Sequence, residues 1–151
     1  MPAPYEGGCQ CGAIRYAQKA EPLTLYVCHC TECQKQSSSA FGMSMTVFRN
    51  DVTITKGTPR VFERPARDNH RVLCTYCPDC GSRLFHARSQ RPDHMNIKPG
   101  TLDDTGWLRP VAHIWTSSAQ PWITIPEDTL VFPEQPPSHD PLVAAYRAAH
   151  P

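Results

Sequence analysis

The sequence predicts a mainly β fold with a short C-terminal helix. Apolar and polar residues alternate over several short segments, which is the period of a half-buried strand. The chain carries 16 prolines in 151 residues, about twice the usual frequency, and proline disfavours long helices. A chain of this length is expected to form one domain with a core of its own.

The predicted strands are short and follow one another along the chain. Met43, Met45 and Val47 alternate with polar neighbours, and a similar run occupies residues 51–56, so both segments are typical of strands with one buried face. A turn that contains Gly57 follows the second run. The segments predicted as strands are 13–18, 41–48, 51–56, 60–63, 71–76, 83–87, 95–98 and 112–116.

Helix is predicted in two places. A short turn of helix follows Cys30 and covers residues 32–36. Near the C-terminus, Asp140 is predicted as the N-cap and Pro141 as the first residue of a helix that continues through residues 142–149. A proline-rich stretch precedes this helix, so residues 134–151 are predicted to be a linker and a helix that follow a domain of residues 1–133.

Eight cysteines carry most of the functional information. Cysteines that are close in sequence can converge on one tetrahedral metal ion, because zinc–sulfur bonds of about 2.3 Å place the sulfurs about 4 Å apart. Residues 1–6 show no secretory pattern, so a cytoplasmic and reducing location is expected, where disulfides are disfavoured. We therefore predict that zinc pins the fold. The three clusters are Cys9–Cys11, Cys28–Cys30–Cys33 and Cys74–Cys77–Cys80.

Two of these clusters combine into a structural zinc site. Cys77 and Cys80 are spaced as in a zinc knuckle, and Gly81 suits the tight turn that follows with a positive φ. Cys9 and Cys11 supply the two further thiolates. The four ligands are predicted to close a structural site that joins the N-terminus to the middle of the chain.

The remaining triplet predicts a second zinc site of a different kind. Cys28, Cys30 and Cys33 supply three ligands from one loop, and three protein ligands with an open fourth position are typical of a catalytic zinc. Cys74 could be a fourth ligand that closes this site. The preferred interpretation of Cys74 is a buried apolar residue on the strand 71–76.

Three further residues are not expected to bind the metal. His29 lies between two ligands and is expected to point away from the metal. His113 lies in an apolar strand and is expected to be a hydrogen-bonded core histidine. Glu32 is expected to be a solvated loop carboxylate.

The charge balance excludes two classes of partner. Lys and Arg number 15 and Asp and Glu 14, for a formal net charge of +1. The chain therefore has no basic field for nucleic acid or an anionic membrane. No apolar run approaches the roughly 18 residues that span a bilayer. Neither nucleic acid nor a membrane is an expected partner.

The order of the cysteine motifs resembles the glutathione-dependent formaldehyde-activating family, to which centromere protein V is related. Three motifs carry the resemblance, which covers residues 5–133. They are Gly7-Gly8-Cys9-x-Cys11-Gly12-x-Ile14-x-Tyr16, Cys28-His29-Cys30-x-x-Cys33-x-Lys35 and Cys77-x-x-Cys80-Gly81-x-x-Leu84. Other matching stretches are Ser39-Ala40-Phe41-Gly42, Gly100-Thr101-Leu102-Asp103-Asp104, His113-Ile114-Trp115 and Pro121-Trp122.

The resemblance implies a fold, a metal content and a reaction. The fold is the β-tent, and the metal content is two zinc ions per chain, a structural ion on Cys9, Cys11, Cys77 and Cys80 and a second on Cys28, Cys30 and Cys33. The reaction is the condensation of formaldehyde with glutathione to S-hydroxymethylglutathione, formally a carbon–sulfur lyase reaction.

The expected function is therefore a zinc-dependent carbon–sulfur lyase whose catalytic residues are Cys28, Cys30 and Cys33. Its partner is a small thiol such as glutathione, or another member of a similar thiol–aldehyde pair. The alternative is a zinc-stabilised binding module in which both metals are structural, and a fourth ligand from Cys74 would favour that alternative.

Overall fold

The computed structural model describes residues 3–151, and within this range the fold is mainly β. Eleven strands and two α-helices lie in the described part of the chain, so the predicted fold class with its C-terminal helix is confirmed. In chain order the elements are β1 (Tyr5–Gly8), β2 (Arg15–Gln18), β3 (Thr24–Cys28), α1 (Thr31–Ser37), β4 (Gly42–Phe48), β5 (Val52–Lys56), β6 (Arg60–Pro65), β7 (Arg71–Tyr76), β8 (Arg83–Arg88), β9 (His94–Ile97), β10 (Ala112–Ile114), β11 (Leu130–Phe132) and α2 (Asp140–Ala149).

The chain divides into two compact units. Unit 1 consists of the described residues up to Pro22 together with Thr46–Trp107, and unit 2 consists of Leu23–Met45 and Leu108–Pro151. Strand β4 therefore begins in unit 2 and ends in unit 1. The division predicted from composition, between residues 133 and 134, stays a prediction.

Unit 1 contains a three-stranded antiparallel sheet in the order β1-β2-β5 and a second set of strands in the order β4-β9-β8-β7-β6. Tyr16 is almost fully buried and packs edge-on against Phe85, with 4.9 Å between ring centroids. Gly7 allows this packing, because a Cβ there would lie 2.6 Å from both the Tyr16 hydroxyl and the Thr101 carbonyl oxygen.

Unit 2 is built on parallel strands in the order β11-β10-β3, with β4 beside β3. Cys28, Ile114 and Phe132 are the last residues of their strands and lie opposite one another in the register. The three parallel strands therefore end in one row. The chain segments that follow them leave the sheet at the same edge.

Helix α2 belongs to the core of unit 2. Leu142 is fully buried in a cluster with Tyr26, Ala112 and Ile114. The Thr24 hydroxyl donates to the Leu142 carbonyl oxygen at 3.0 Å. The helix begins at Asp140, one residue earlier than the predicted N-cap implies, so Asp140 lies in the first turn.

The predicted strand at residues 71–76 coincides with β7, whereas β3 has no counterpart among the predicted strands. All five residues of β3 are buried, so the strand lacks the alternation that marks a half-buried strand. Among residues 3–151, neither α-helix has the length and apolar character that crossing a bilayer requires.

Candidate metal centres

Four thiols gather in unit 1 at the ends of two strands. Cys9 directly follows β1, Cys77 directly follows β7, and Cys11 and Cys80 lie in the turns beyond them. The four Sγ atoms all lie within 4.8 Å of one another. The Sγ of Cys11 is 3.5 Å from that of Cys9 and 3.8 Å from that of Cys77. These separations are close to those of sulfur ligands on one zinc ion.

Two tight turns bring the thiols together. The Gly12 N–H donates to the Cys9 carbonyl at 3.0 Å, and the Gly81 N–H donates to the Cys77 carbonyl at 2.9 Å. Both glycines have a positive φ, +76° and +77°, a conformation that glycine adopts without steric cost. The Gly81 turn predicted from the sequence is therefore confirmed.

Ser82 connects the two turns of this cluster. Its hydroxyl accepts the Gln10 N–H at 3.0 Å and lies 3.2 Å from the Cys80 Sγ. The hydroxyl and the backbone N–H of Ser82 lower the pKa of Cys80 to about 6. Cys80 is therefore largely a thiolate at neutral pH, which is the form that binds metal.

The other thiols of this cluster compete for negative charge. Burial raises the pKa of Cys9, but the Ile14 N–H and the neighbouring thiols outweigh this effect and lower it. The Ala13 N–H lowers the pKa of Cys11, but the thiols of Cys9 and Cys80 raise it to about 12. The group can ionise fully only when a cation compensates the charge, so the donor set fits a bound metal ion.

Three thiols gather in unit 2 where β3 meets α1. Cys28 is the last residue of β3, Cys30 is the N-cap of α1, and Cys33 lies in the helix. Their Sγ atoms also lie within 4.8 Å of one another. The Cys33 N–H donates to the Cys30 Sγ at 3.3 Å, which is a sulfur version of an N-cap hydrogen bond.

The core of unit 2 supports this second cluster. Cys28 is buried in the apolar cluster that contains Leu142, whereas Cys30 and Cys33 pack against that cluster and stay half-exposed. Gly42 lets β4 approach the helix, because a Cβ there would lie 3.2 Å from the Cβ of Cys33. The site thus has a buried anchor and an accessible side.

Negative charge in the second cluster concentrates on one sulfur. The thiols of Cys28 and Cys33 donate to Cys30 and lower its pKa, while the same contacts raise the pKa of Cys28. A single thiolate forms readily in this group, and a cation is needed for the other two. This donor set also fits a metal ion.

The two histidines form a buried pair beside the second cluster. His29 is fully buried, and its Nε2 lies 2.9 Å from Nδ1 of His113. Their rings stack with 5.2 Å between centroids, and Phe41 meets the His29 ring edge-on. Burial lowers the pKa of both histidines. The expectation that His113 is a hydrogen-bonded core histidine is confirmed.

A chain of amides holds the loop of the second cluster, and the sequence does not reveal it. The Gln34 side-chain amide donates to the carbonyls of His29 and Ser118, each at 2.9 Å. Gln120 donates to the Gln34 oxygen at 3.3 Å, and Trp122 donates to the Gln120 oxygen at 2.7 Å. These partners are far apart in sequence, so only their positions after folding identify the network.

Cys74 is a member of neither cluster. It is fully buried on β7, and its thiol lies 3.8 Å from the Val72 carbonyl oxygen. Its environment matches the interpretation of Cys74 as a small apolar residue. Glu32 is exposed in the first turn of α1, as expected for a solvated carboxylate.

Both clusters could hold a metal ion, and the all-thiol donor sets are consistent with zinc. The chain is therefore a mainly β protein with two groups of cysteines, one of four and one of three, that could each hold a zinc ion. A model of the family described as "Glutathione-dependent formaldehyde-activating enzyme" matches residues 4–118, which is more than half of the chain. The chain belongs to this family.

A solved structure shares the fold. It is the crystal structure of a Rhodobacter sphaeroides protein, which is similar to this chain with 18% sequence identity and a TM-score of 0.51. The match covers 68% of this chain and 91% of the other. At this identity the likeness concerns the fold alone.

Proposed function

We propose that the protein is a zinc-dependent enzyme of the carbon–sulfur lyase type. Its substrates would be glutathione and formaldehyde, with S-hydroxymethylglutathione as the adduct, or a similar small thiol–aldehyde pair. The observation that carries this proposal is the group of three thiols at Cys28, Cys30 and Cys33, in which the Cys30 thiol is only partly buried. Membership of the formaldehyde-activating family supports the substrate class.

The reaction joins sulfur to carbon. The glutathione thiol gives its proton to water, the thiolate sulfur attacks the carbonyl carbon, and a carbon–sulfur bond forms as the carbon–oxygen π bond breaks. The oxygen takes up a proton from water, so atoms and charge balance. Zinc held by Cys28, Cys30 and Cys33 would supply the positive charge that keeps a substrate thiol ionised near neutral pH.

The contribution of the chain itself is placement and charge control. Cys28 anchors the ligand loop in the core, and the Gln34 amide fixes the loop through the His29 carbonyl. The three cysteine thiolates carry net negative charge even beside a divalent cation, which favours thiol activation over strong polarisation of a carbonyl. Because formaldehyde also reacts with thiols unaided, the rate gain rests on proximity.

The test is the exchange rate between glutathione, formaldehyde and their adduct, measured by two-dimensional exchange NMR at equilibrium. The zinc-loaded wild-type protein should raise this rate in proportion to its concentration. Cys30→Ser should return the rate to the spontaneous value. Cys74→Ser is the matched control, because it also removes one buried or half-buried thiol but lies in neither cluster, and it should keep the wild-type rate.

Two outcomes would count against the proposal. A wild-type rate equal to the spontaneous rate, for glutathione and for a smaller thiol such as 2-mercaptoethanol, would leave the zinc-stabilised binding module as the better interpretation. An equal loss of activity in Cys74→Ser and Cys30→Ser would show that the assay reports general damage rather than the second cluster.

A further inference from the structure

Trp122 is an exposed aromatic residue of unit 2 to which the proposed reaction assigns no role. It is 70% exposed, the highest value of any large apolar residue among residues 3–151. Covering such a surface is favourable, because apolar area leaves water. An indole is also a large, rigid contact surface that loses little conformational entropy when a ligand binds. The ring therefore has the properties of a recognition surface.

Two hydrogen bonds hold the Trp122 ring in place. Pro121 and Trp122 are the central residues of a turn, which the Ile123 N–H closes by donating to the Gln120 carbonyl oxygen at 3.0 Å. Proline at the first central position fixes φ and stiffens the turn. The indole Nε1–H donates to the Gln120 side-chain oxygen at 2.7 Å. This N–H is the only polar group of the ring, so a ligand would contact the faces of the ring.

The turn is joined to the loop of the second cluster. The Gln120 side-chain amide donates to the Gln34 side-chain oxygen at 3.3 Å, and the Gln34 amide donates to the His29 carbonyl at 2.9 Å. The backbone N–H of Gln34 donates to the Cys30 carbonyl at 3.0 Å. The indole is therefore two side-chain amides away from the residue that lies between Cys28 and Cys30.

The chain reaches this position through a strained residue. Trp115 directly follows β10 and has a left-handed backbone with a φ of +58°, a conformation that residues other than glycine rarely adopt. Its side chain packs against the same apolar cluster as Cys30. Three residues later, the Ser118 carbonyl accepts a hydrogen bond from the Gln34 amide at 2.9 Å. The segment after Trp115 is therefore held against the cysteine loop, and strain of this kind is frequent in functional segments.

We propose that Trp122 determines which thiols the second cluster accepts, by stacking on a planar peptide group of a peptide thiol such as glutathione. The inference rests on the proposed function and deepens it, because it concerns the thiol substrate of the same site. Glutathione has an amide plane on each side of its cysteine residue, and a flat group can stack on an aromatic face. A smaller thiol such as 2-mercaptoethanol has no amide plane, so it gains nothing from the ring. The ring contributes to binding and not to the chemistry at sulfur.

The first test observes the ring directly, by ¹⁹F NMR of the full-length, zinc-loaded protein labelled with 5-fluorotryptophan. The chain has three tryptophans, and Trp122→Phe identifies the Trp122 signal. The probe is S-methylglutathione, which keeps both amide planes but has no thiol to react with formaldehyde. It should shift the Trp122 signal along a saturable curve. The Trp107 signal should not move, because Trp107 stacks on Tyr5 in unit 1.

The second test compares glutathione with 2-mercaptoethanol in the exchange assay. Trp122→Ala should raise the half-saturating concentration of glutathione about tenfold, and should change the maximal rate and both values for 2-mercaptoethanol by less than about twofold. Trp122→Leu replaces this variant if it loses zinc, with the same expected direction, because leucine has no flat face. Phe48→Ala is the matched control, because it removes a 45% exposed aromatic ring from unit 1, and it should leave all four values unchanged. Native mass spectrometry should find the wild-type zinc content in each variant.

Several results would overturn the proposal. They are a Trp122 signal that S-methylglutathione leaves unmoved, an unchanged half-saturating concentration of glutathione in Trp122→Ala, an equal loss for both thiols in that variant, or an equal effect of Phe48→Ala. The proposed function fails by a different result, which is a wild-type exchange rate equal to the spontaneous rate. The ¹⁹F titration needs no turnover, so it decides in that case too whether the peptide contacts the ring.

Discussion

The two cysteine clusters differ in how they relate to the chain that surrounds them. In unit 1 the thiols come from two turns that are far apart in sequence, because Cys11 and Cys77 are separated by 66 residues. In unit 2 all three thiols come from one six-residue segment, which runs from Cys28 to Cys33. A metal ion in the first cluster would cross-link distant segments, whereas one in the second would bind a loop that the core already holds.

This difference indicates which cluster should stabilise the fold and which could bind a substrate without a structural role. A cross-link between distant segments restricts the unfolded chain, so its loss lowers the free energy of unfolding of the whole unit. A local loop on a packed core can lose its ligand while the rest of the unit stays folded. Each of the following predictions tests this contrast, from the largest effect to the smallest.

The largest effect is expected for Cys77→Ser. Structural zinc contributes on the order of 10 kcal/mol in small domains, which is comparable with the whole free energy of unfolding of a typical domain. The variant should therefore fail to fold, as measured by far-UV circular dichroism and the loss of a cooperative melting transition. An unchanged melting temperature would contradict the assignment of Cys77 as a ligand.

Cys30→Ser should instead leave the protein folded with one zinc ion fewer per chain. The Cys30 thiol is only partly buried, and most of the apolar cluster beneath it consists of residues that are not candidate ligands, namely Tyr26, Ala112, Ile114 and Leu142. Native mass spectrometry counts the zinc, and circular dichroism reports the fold. Global unfolding of this variant would remove the distinction between a structural and a functional cluster.

Gln34→Ala tests whether the amide chain prepares the second cluster. Loss of the two hydrogen bonds to the His29 and Ser118 carbonyls should weaken zinc binding there about 10–100-fold, the usual range for residues that orient metal ligands. Competition with a zinc-sensitive chelator measures the affinity of each site. Gln90→Ala, an exposed glutamine of unit 1, is the control and should change neither affinity. A Gln34→Ala protein with wild-type affinity at both sites would show that the amide chain does not hold the ligands.

The smallest effect is expected for Asp103→Asn in unit 1. Arg15, the first residue of β2, forms a two-pronged ion pair with Asp103. The side chains are about one third and one half exposed, so the pair should contribute only about 0.2–1 kcal/mol. Urea unfolding should show this loss, and 0.5 M NaCl should reduce it.

The pH dependence of that loss has a definite sign. Arg15 lowers the pKa of Asp103, so the stabilisation is present above the ordinary carboxyl pKa and disappears only as the pH falls through the lower, folded value. The difference between wild type and Asp103→Asn should therefore be constant from pH 6 to pH 8. A difference that grows or shrinks across that range would point to another titrating group.

Local patterns predict much of this molecule, and the remainder depends on pairings between distant segments. The alternation in residues 41–48 and 51–56 predicts β4 and β5, and the cysteine spacings predict which thiols meet. The buried strand β3 shows no alternation, and β11 has only three residues, so neither carries a local pattern. The contact between His29 and His113 arises from the parallel pairing of β3 with β10, which no local feature of either strand specifies.

The common end of β3, β10 and β11 has a practical consequence for engineering. The loop that follows β3 carries the cysteines, while the segment that follows β10, residues 115–129, leaves the sheet at the same edge without supplying a ligand. A combinatorial library could randomise exposed positions of that segment, such as Thr124 and Glu127, and leave the candidate metal ligands and the amide chain behind them untouched. Selection on such a library would separate the evolution of recognition from the evolution of metal affinity.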